Sequence, residues 1–172
     1  MKMLLPAVAL ALFVALPLIP SASAEDAAKP ATGEIQDLKQ ITGELPHDVL
    51  LGLLNNAGKQ AAMAQGTTVL REKVDSRKAT LKFKIDKIEK DLRRAEKQEG
   101  YRVKADQAPL REGGVSFKVY LWVNFSLTEN DKAAALKKGN EISVTGKVTS
   151  VSLTGEKFIE LHVDLSDATV VK

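Results

Sequence analysis

The sequence predicts a mainly β protein with N-terminal helices, built around a small five-stranded barrel with a helix between its third and fourth strands. Three observations carry that prediction. Residues 115–125, VSFKVYLWVNF, alternate apolar and polar side chains without a break, the period of a strand with one buried face. Residues 34–75 instead repeat their apolar positions at spacings of three and four, the period of a helix. Residues 141–165 alternate again, but with Gly146 inside the run and a slip of one near Thr149-Ser150. A strand that slips around a glycine bends, as a small barrel requires.

The N-terminal end reads as an export signal. Lys2 precedes an apolar run from Leu4 to Ile19, and Ala22-Ser23-Ala24 supplies small residues for cleavage before Glu25. The expected location is periplasmic or secreted. The run is short and interrupted by Pro6, Pro17 and Pro20, whereas a membrane span needs ~20 apolar residues. No span is expected in the mature form, an uncleaved anchor being the other reading. The absence of cysteine excludes a lipid-modified N-terminal cysteine, disulfides, thiolate metal sites and thiol catalysis. Cleavage after Ala24 leaves 148 residues, with 24 basic and 22 acidic side chains. That is one domain with an appendage. Its charge is too balanced for a whole-molecule field to select nucleic acid or an anionic membrane. Binding specificity must come from a local patch.

Residues 25–33, EDAAKPATG, read as a disordered leader. In the helical extension, residues 34–75, Leu38, Ile41 and Leu45 share one face, and Pro46 ends that segment or starts the next. Asp48 is expected to cap a second helix, with Val49, Leu50, Leu53, Leu54 and Ala57 apolar, running to an end near Gly66. Its wide apolar stripe is expected to pack on the barrel, to plug one of its ends, or to meet a partner or another copy.

The first strand opens with TLKFKID, Leu81, Phe83 and Ile85 lying on one side. Residues 87–100 fit either a helix or a bulged strand continuing to Leu92 with a charged hairpin closing at Gly100; strand is preferred. Tyr101 to Ala105 is a short second strand, and residues 115–125 are the third. In SLTENDKAAALKKG, Thr128 is expected as the helix cap, acids fill the first turn, lysines the last, and Gly139 lies just beyond. The fourth strand points Ile142, Val144, Val148, Val151 and Leu153 inward. Thr154-Gly155 turns the chain, and the fifth strand returns with Ile159, Leu161, Val163 and Leu165 inward.

This order of elements over residues 79–171 is that of the oligonucleotide/oligosaccharide-binding (OB) barrel. Leu136, Gly139, Ile142, Val144, Gly146 and Val148, followed by Leu165, Asp167, Ala168 and Val170, also resemble a phrase of the tRNA-anticodon-binding-like OB families, exported bacterial members included. The resemblance covers about 40 residues, is loose over the first three strands and does not reach residues 25–75. It implies an OB-type β-barrel and says little about ligand, because its positions shape the barrel.

OB barrels bind across their second and third strands. The outward residues there are Lys118, Tyr120, Trp122 and Asn124, with Arg102 and Lys104 alongside. Two rings at i and i+2 stand on one side of a strand, where bases or sugars can stack at ~1–3 kcal/mol per base. The competing expectation is that the N-terminal helices cover Tyr120 and Trp122. Between Lys82 and Lys104 there are nine basic and five acidic residues, read as a solvated hairpin or as a polyanion-contacting loop. Glu160, His162 and Asp164 share the outward side of the fifth strand, but at ~3.3 Å per residue the first and third root about 13 Å apart, too far for one metal ion. His47 is read as a surface or capping residue. No nucleophile elbow, phosphate loop or metal-spaced histidine pair occurs, so neither catalysis nor a cofactor is expected.

These readings converge on a non-enzymatic exported binding module for an extended ligand: a glycan, a peptide or envelope protein, or less favourably a nucleic acid. The alternative is a structural or assembly protein of the cell envelope, acting through its N-terminal helices and strand edges.

Overall fold

The structure is a computed structural model that describes residues 33–93 and 98–171. The segment read as an export signal, all of the segment read as a leader except Gly33, and residues 94–97 lie outside the described residues. Three helices come first, α1 (Leu38–Thr42), α2 (His47–Leu54) and α3 (Lys59–Val74). They lead to β1 (Lys78–Arg93), β2 (Gln98–Asp106), β3 (Leu110–Glu112) and β4 (Val115–Phe125). A 3-10 turn at Leu127–Glu129 and α4 (Asn130–Ala135) precede β5 (Glu141–Thr154) and β6 (Ile159–Val171).

Five strands close on themselves. β1 pairs with β2 and β5, β5 with β6, β6 with β4 in parallel, and β4 with β2. β3 is a short sixth strand folded back on the start of β4. This is an OB-like barrel, with helix α4 between the third and fourth strands of the closed circuit. Residues 87–100 are strand wherever they are described. β1 can serve two neighbours because it pairs with β5 over Lys78–Lys84 and with β2 from Lys84 onward, with a bulge between Ile85 and Lys87. The Gly139-Asn140 turn locks that bulge: the Gly139 N–H donates to the Ile85 carbonyl at 2.8 Å, and the Ile85 N–H to the Asn140 carbonyl at 2.9 Å.

The bend of β5 has the expected cause. Its register against β6 shifts between Thr145 and Lys147 and again between Val148 and Ser150. A Cβ on Gly146 would stand 2.9 Å from the Ser166 carbonyl oxygen, so only glycine allows this approach. Beyond the bend β5 has no strand on its outer edge among the described residues, and the end of the helical extension takes that place. The Thr67 hydroxyl accepts the Leu153 N–H at 2.9 Å, the Arg71 Nε donates to the Val151 carbonyl at 3.4 Å, and Ser76 and Arg77 pair with the Val148 backbone. Ile35 adds a short bridge to the outer edge of β1 at Ala79.

Most inward residues of the barrel strands are buried, with Phe117, Leu121, Phe125, Leu161 and Leu165 fully enclosed, while Ile88, Tyr101 and Val170 pack against the core partly buried. Each fully enclosed side chain contributes about 1.5–3 kcal/mol. Leu45 and Val49 lie with Leu153 around Gly66, so the helices and barrel share one core. Among the described residues no helix is long and apolar enough to cross a membrane.

Five helical expectations are corrected. The helix expected from Asp48 to Gly66 is two helices, broken at 55–58, where the Asn55 side chain accepts the Ala57 N–H at 3.1 Å. The break lets α2 fold back on α3, so closely that a Cβ on Gly52 would stand 2.8 Å from the Ala62 Cβ. Gly66 does not end a helix. It is buried inside α3 under Leu153 and acts as a packing residue. Asp48 lies in the first turn of α2, one residue past its start, and the capping box belongs to Asp37 and Gln40 of α1. Thr128 lies in the 3-10 turn and caps nothing, and α4 ends at Ala135, before Lys137 and Lys138. Gly139, with φ +86°, serves the turn into β5.

Candidate ligand-binding face

The buried side of β4 determines what its other side presents. With Val119, Leu121 and Val123 enclosed, the pleat turns Lys118, Tyr120, Trp122 and Asn124 outward. Antiparallel pairing sets Arg102 of β2 across from Asn124, and Lys104 across from Trp122. Parallel pairing sets Glu160, His162 and Asp164 of β6 beside Lys118, Tyr120 and Trp122. All six residues singled out from sequence therefore lie on one face. Three from β6 join them, which in the sequence suggest only a poorly spaced metal triad.

The rings are held by their neighbours. His162 stacks on Tyr120 with centroids 4.8 Å apart and planes 11° from parallel. The Lys118 and Lys104 ammonium groups lie 4.8 and 5.5 Å from the Tyr120 ring centroid. The Arg102 guanidinium carbon lies 4.5 Å from the Trp122 centroid, a cation–π contact. It is pinned there by Glu89, whose Oε2 accepts Nε at 2.8 Å and Nη2 at 2.6 Å. Tyr120 and Trp122 are half-buried, and these contacts come from strands of the face itself. α2 meets the barrel beyond the start of β4, with Leu50 against Gly113 and Leu54 near Gly114. Asn124 donates its amide to the Leu165 carbonyl at 3.0 Å, so it braces the barrel.

The charges are largely compensated. Lys104 meets Asp86 at 3.3 Å, while Lys118 reaches Glu160 only at 4.0 Å. Glu160 also accepts the Tyr120 hydroxyl at 3.3 Å and lies 3.4 Å from His162 Nε2. Hydrogen bonds from Lys138 and then Lys104 hold the Asp86 carboxyl below the usual carboxylate range. Lys87 and then Arg102 do the same for Glu89. The Tyr120 hydroxyl, then Glu160, raise the Lys118 ammonium above its ordinary value. Burial pushes Asp164 up, against the pull of His162 and Arg102. The face thus sets three permanent cations, Arg102, Lys104 and Lys118, against four carboxylates. The hairpin read as basic shows the same pairing where it is described: Lys82 bridges Glu141, and Lys87 bridges Glu89.

At one end the face opens into a pocket of about 380 Å³ lined by Pro109, Ser116, Lys118 and Phe158. Phe158, in the β5–β6 loop, is 59% exposed. Alternation alone counts it as the start of a strand; its signal is an aromatic residue in a loop that borders the binding side of this barrel type. Among the described residues no three metal-capable side chains gather. His47 is exposed at the start of α2.

No family model and no curated protein matches the chain. A solved structure described as a "putative nucleic acid-binding lipoprotein", from Klebsiella pneumoniae, is similar over 81% of this chain and 92% of that one, at 16% identity and a TM-score of 0.44. A likeness at this level specifies neither fold nor ligand, and the barrel assignment rests on the strand pairings above.

Proposed function

We propose that the protein is a non-enzymatic, exported OB-type binding module that takes an extended ligand across the outer face of β2, β4 and β6. Tyr120 and Trp122 provide ring surface; Lys118, Arg102 and Lys104 provide polar contacts. The observation that carries this reading is the outward placement of two half-exposed rings on the strand whose other side closes the core. Each ring is fixed by a neighbour before any ligand arrives, His162 for Tyr120 and Arg102 for Trp122. Preorganised contacts lose less entropy on binding. The compensated charges favour a ligand that is not a polyanion, since a nucleic-acid groove gains affinity from unpaired cations along the backbone path. A glycan, a peptide or an envelope protein fits better.

Trp122 is the only tryptophan, and its fluorescence is the test. The purified protein is titrated with chitohexaose, with a hexapeptide pool and with a twelve-residue thymidine oligonucleotide. A saturable change with one of them, removed by Tyr120→Ala, supports the reading. Silence from all three, with partners recovered through α2, would favour the assembly alternative, for which exposed Leu51 and Leu54 speak.

A further inference from the structure

Along the face the charge pattern changes between the middle and the end at the β5–β6 loop. In the middle, Arg102 and Lys104 each have a carboxylate within 3.3 Å. At the end the cations are loosely held. Arg111 of β3 stands directly across from Ser116, is exposed, and its side chain makes no hydrogen bond or ion pair among the described residues. The Lys157 ammonium lies 5.5 Å from the Phe158 ring and has no carboxylate partner among the described residues. Lys118 is 55% exposed and meets Glu160 only at 4.0 Å. Of the nearby carboxylates, Glu160 is occupied by Tyr120 and His162, and Glu156 belongs to the exposed loop.

The pocket beside these cations, of about 380 Å³, lies at the end of the face. Its walls are the Phe158 ring and Pro109, with the Ser116 hydroxyl and the Lys118 ammonium as polar edges. Such a site matches a group with an apolar body and a single negative charge at one end. A neutral sugar stacks on a ring but brings no charge to Arg111 and Lys118. A nucleic acid would bring phosphates along the whole face, whose middle offers them compensated cations.

We propose that this end of the face receives the C-terminal residue of a peptide: its apolar side chain against Phe158 and Pro109, its α-carboxylate between Arg111 and Lys118, and the preceding residues lying back over Tyr120 and Trp122. Terminal carboxylates are recurrent handles in peptide recognition. The inference rests on the face being a binding surface, and adds to that reading a ligand class and a direction.

The test uses fluorescein-labelled hexapeptides with a free C-terminal leucine, and the same pool amidated, measured by anisotropy and by Trp122 fluorescence. Amidation removes the negative charge, and a charge-assisted hydrogen bond is worth roughly tenfold or more in affinity. The free-acid pool should therefore bind at least about tenfold tighter than the amide. Arg111→Gln and Lys118→Gln should each weaken it about five- to tenfold, and Phe158→Ser about tenfold. Equal binding of acid and amide, with Trp122 still responding, overturns capture of the terminus and leaves the face as a binding surface. So does a response to the oligosaccharide or the oligonucleotide without one to peptides. Binding to phosphatidylglycerol vesicles that needs Leu51, Leu54 and Phe158 replaces the peptide with a lipid surface. Silence from every probe removes both readings.

Discussion

The rings of Tyr120 and His162 lie 4.8 Å apart and 11° from parallel, because parallel pairing sets their Cα atoms side by side at the ~4.8 Å spacing of adjacent strands. One side of Tyr120 is thereby filled by His162, and the Lys118 and Lys104 ammonium groups lie 4.8 and 5.5 Å from its ring centroid. Such a stack contributes about 0.5–1.5 kcal/mol beyond area burial. A double-mutant cycle of Tyr120→Ala and His162→Ala, read by urea unfolding, is expected to show coupling of that size. Strict additivity would mean that the stack does not hold the ring in solution.

Glu89 holds the Arg102 guanidinium that lies over Trp122. Lys87 and Arg102 hold its carboxyl below the usual range, so the folded state prefers the ionised form. Its contribution is present above the unfolded value of ~4.3 and is lost as pH falls through the lower, folded value. Acrylamide quenching of Trp122 should therefore rise only as pH falls through the lowered, folded value of Glu89, when the guanidinium is released. Glu89→Gln should show the raised quenching already at about pH 7. Unchanged quenching in that variant would mean that Arg102 stays over the indole without its anchor.

How much of this was legible in sequence depended on the range of the interactions involved. Strict alternation fixed the inward set of β4, β5 and β6, including the slip near Thr149-Ser150, because a barrel wall admits one apolar side and tolerates no shift without a bulge. The six residues of the face could be named for the same reason. Their partners could not: Glu89 on Arg102, Asp86 on Lys104 and His162 on Tyr120 depend on strand register, which a single strand does not encode. The helices misled where a glycine had two uses. Gly66 looks like a stop signal, yet its lack of a side chain serves contact with Leu153, 87 positions further along the chain. Likewise, Lys137 and Lys138 suit a helix end, but α4 stops at Ala135 so that Gly139 and Asn140 can reach Ile85.

Gly146 and Gly66 should differ in the cost of an added methyl group. At Gly146 the Cβ would meet a backbone carbonyl at 2.9 Å, Ser166 O, which can move only by distorting the β5–β6 ladder. At Gly66 it would meet side-chain ends, Leu153 Cδ1 at 2.8 Å, Val49 Cγ1 at 3.1 Å and Leu45 Cδ2 at 3.2 Å, which can partly yield. Overpacking costs about 1–3 kcal/mol, and within a helix alanine recovers up to about 1 kcal/mol over glycine. Gly146→Ala should therefore lose about 2–3 kcal/mol and Gly66→Ala about 1 kcal/mol in chemical denaturation. The reverse order would contradict the role of Gly146 as the residue that lets β5 bend.

Asp75 ends α3 where the helix dipole is negative, and its Oδ1 is enclosed with no hydrogen-bond partner among the described residues. Burial pushes its carboxyl above the ordinary value, opposed by Arg71. The folded state thus binds this proton more tightly than the unfolded chain does. The associated stability is fully present below the unfolded value of ~3.9 and is lost as pH rises through the folded one. At neutral pH the charged side chain is a liability, and a carboxylate at a helix C-terminus costs about 0.3–1 kcal/mol. Asp75→Asn should raise Tm by about 1–4 °C at neutral pH, and the gain should vanish below about pH 4, where the native residue is itself neutral. A lower Tm for the variant at neutral pH would show that the ionised Oδ1 is held by a favourable contact, and that charge at this position stabilises the junction of α3 with the barrel.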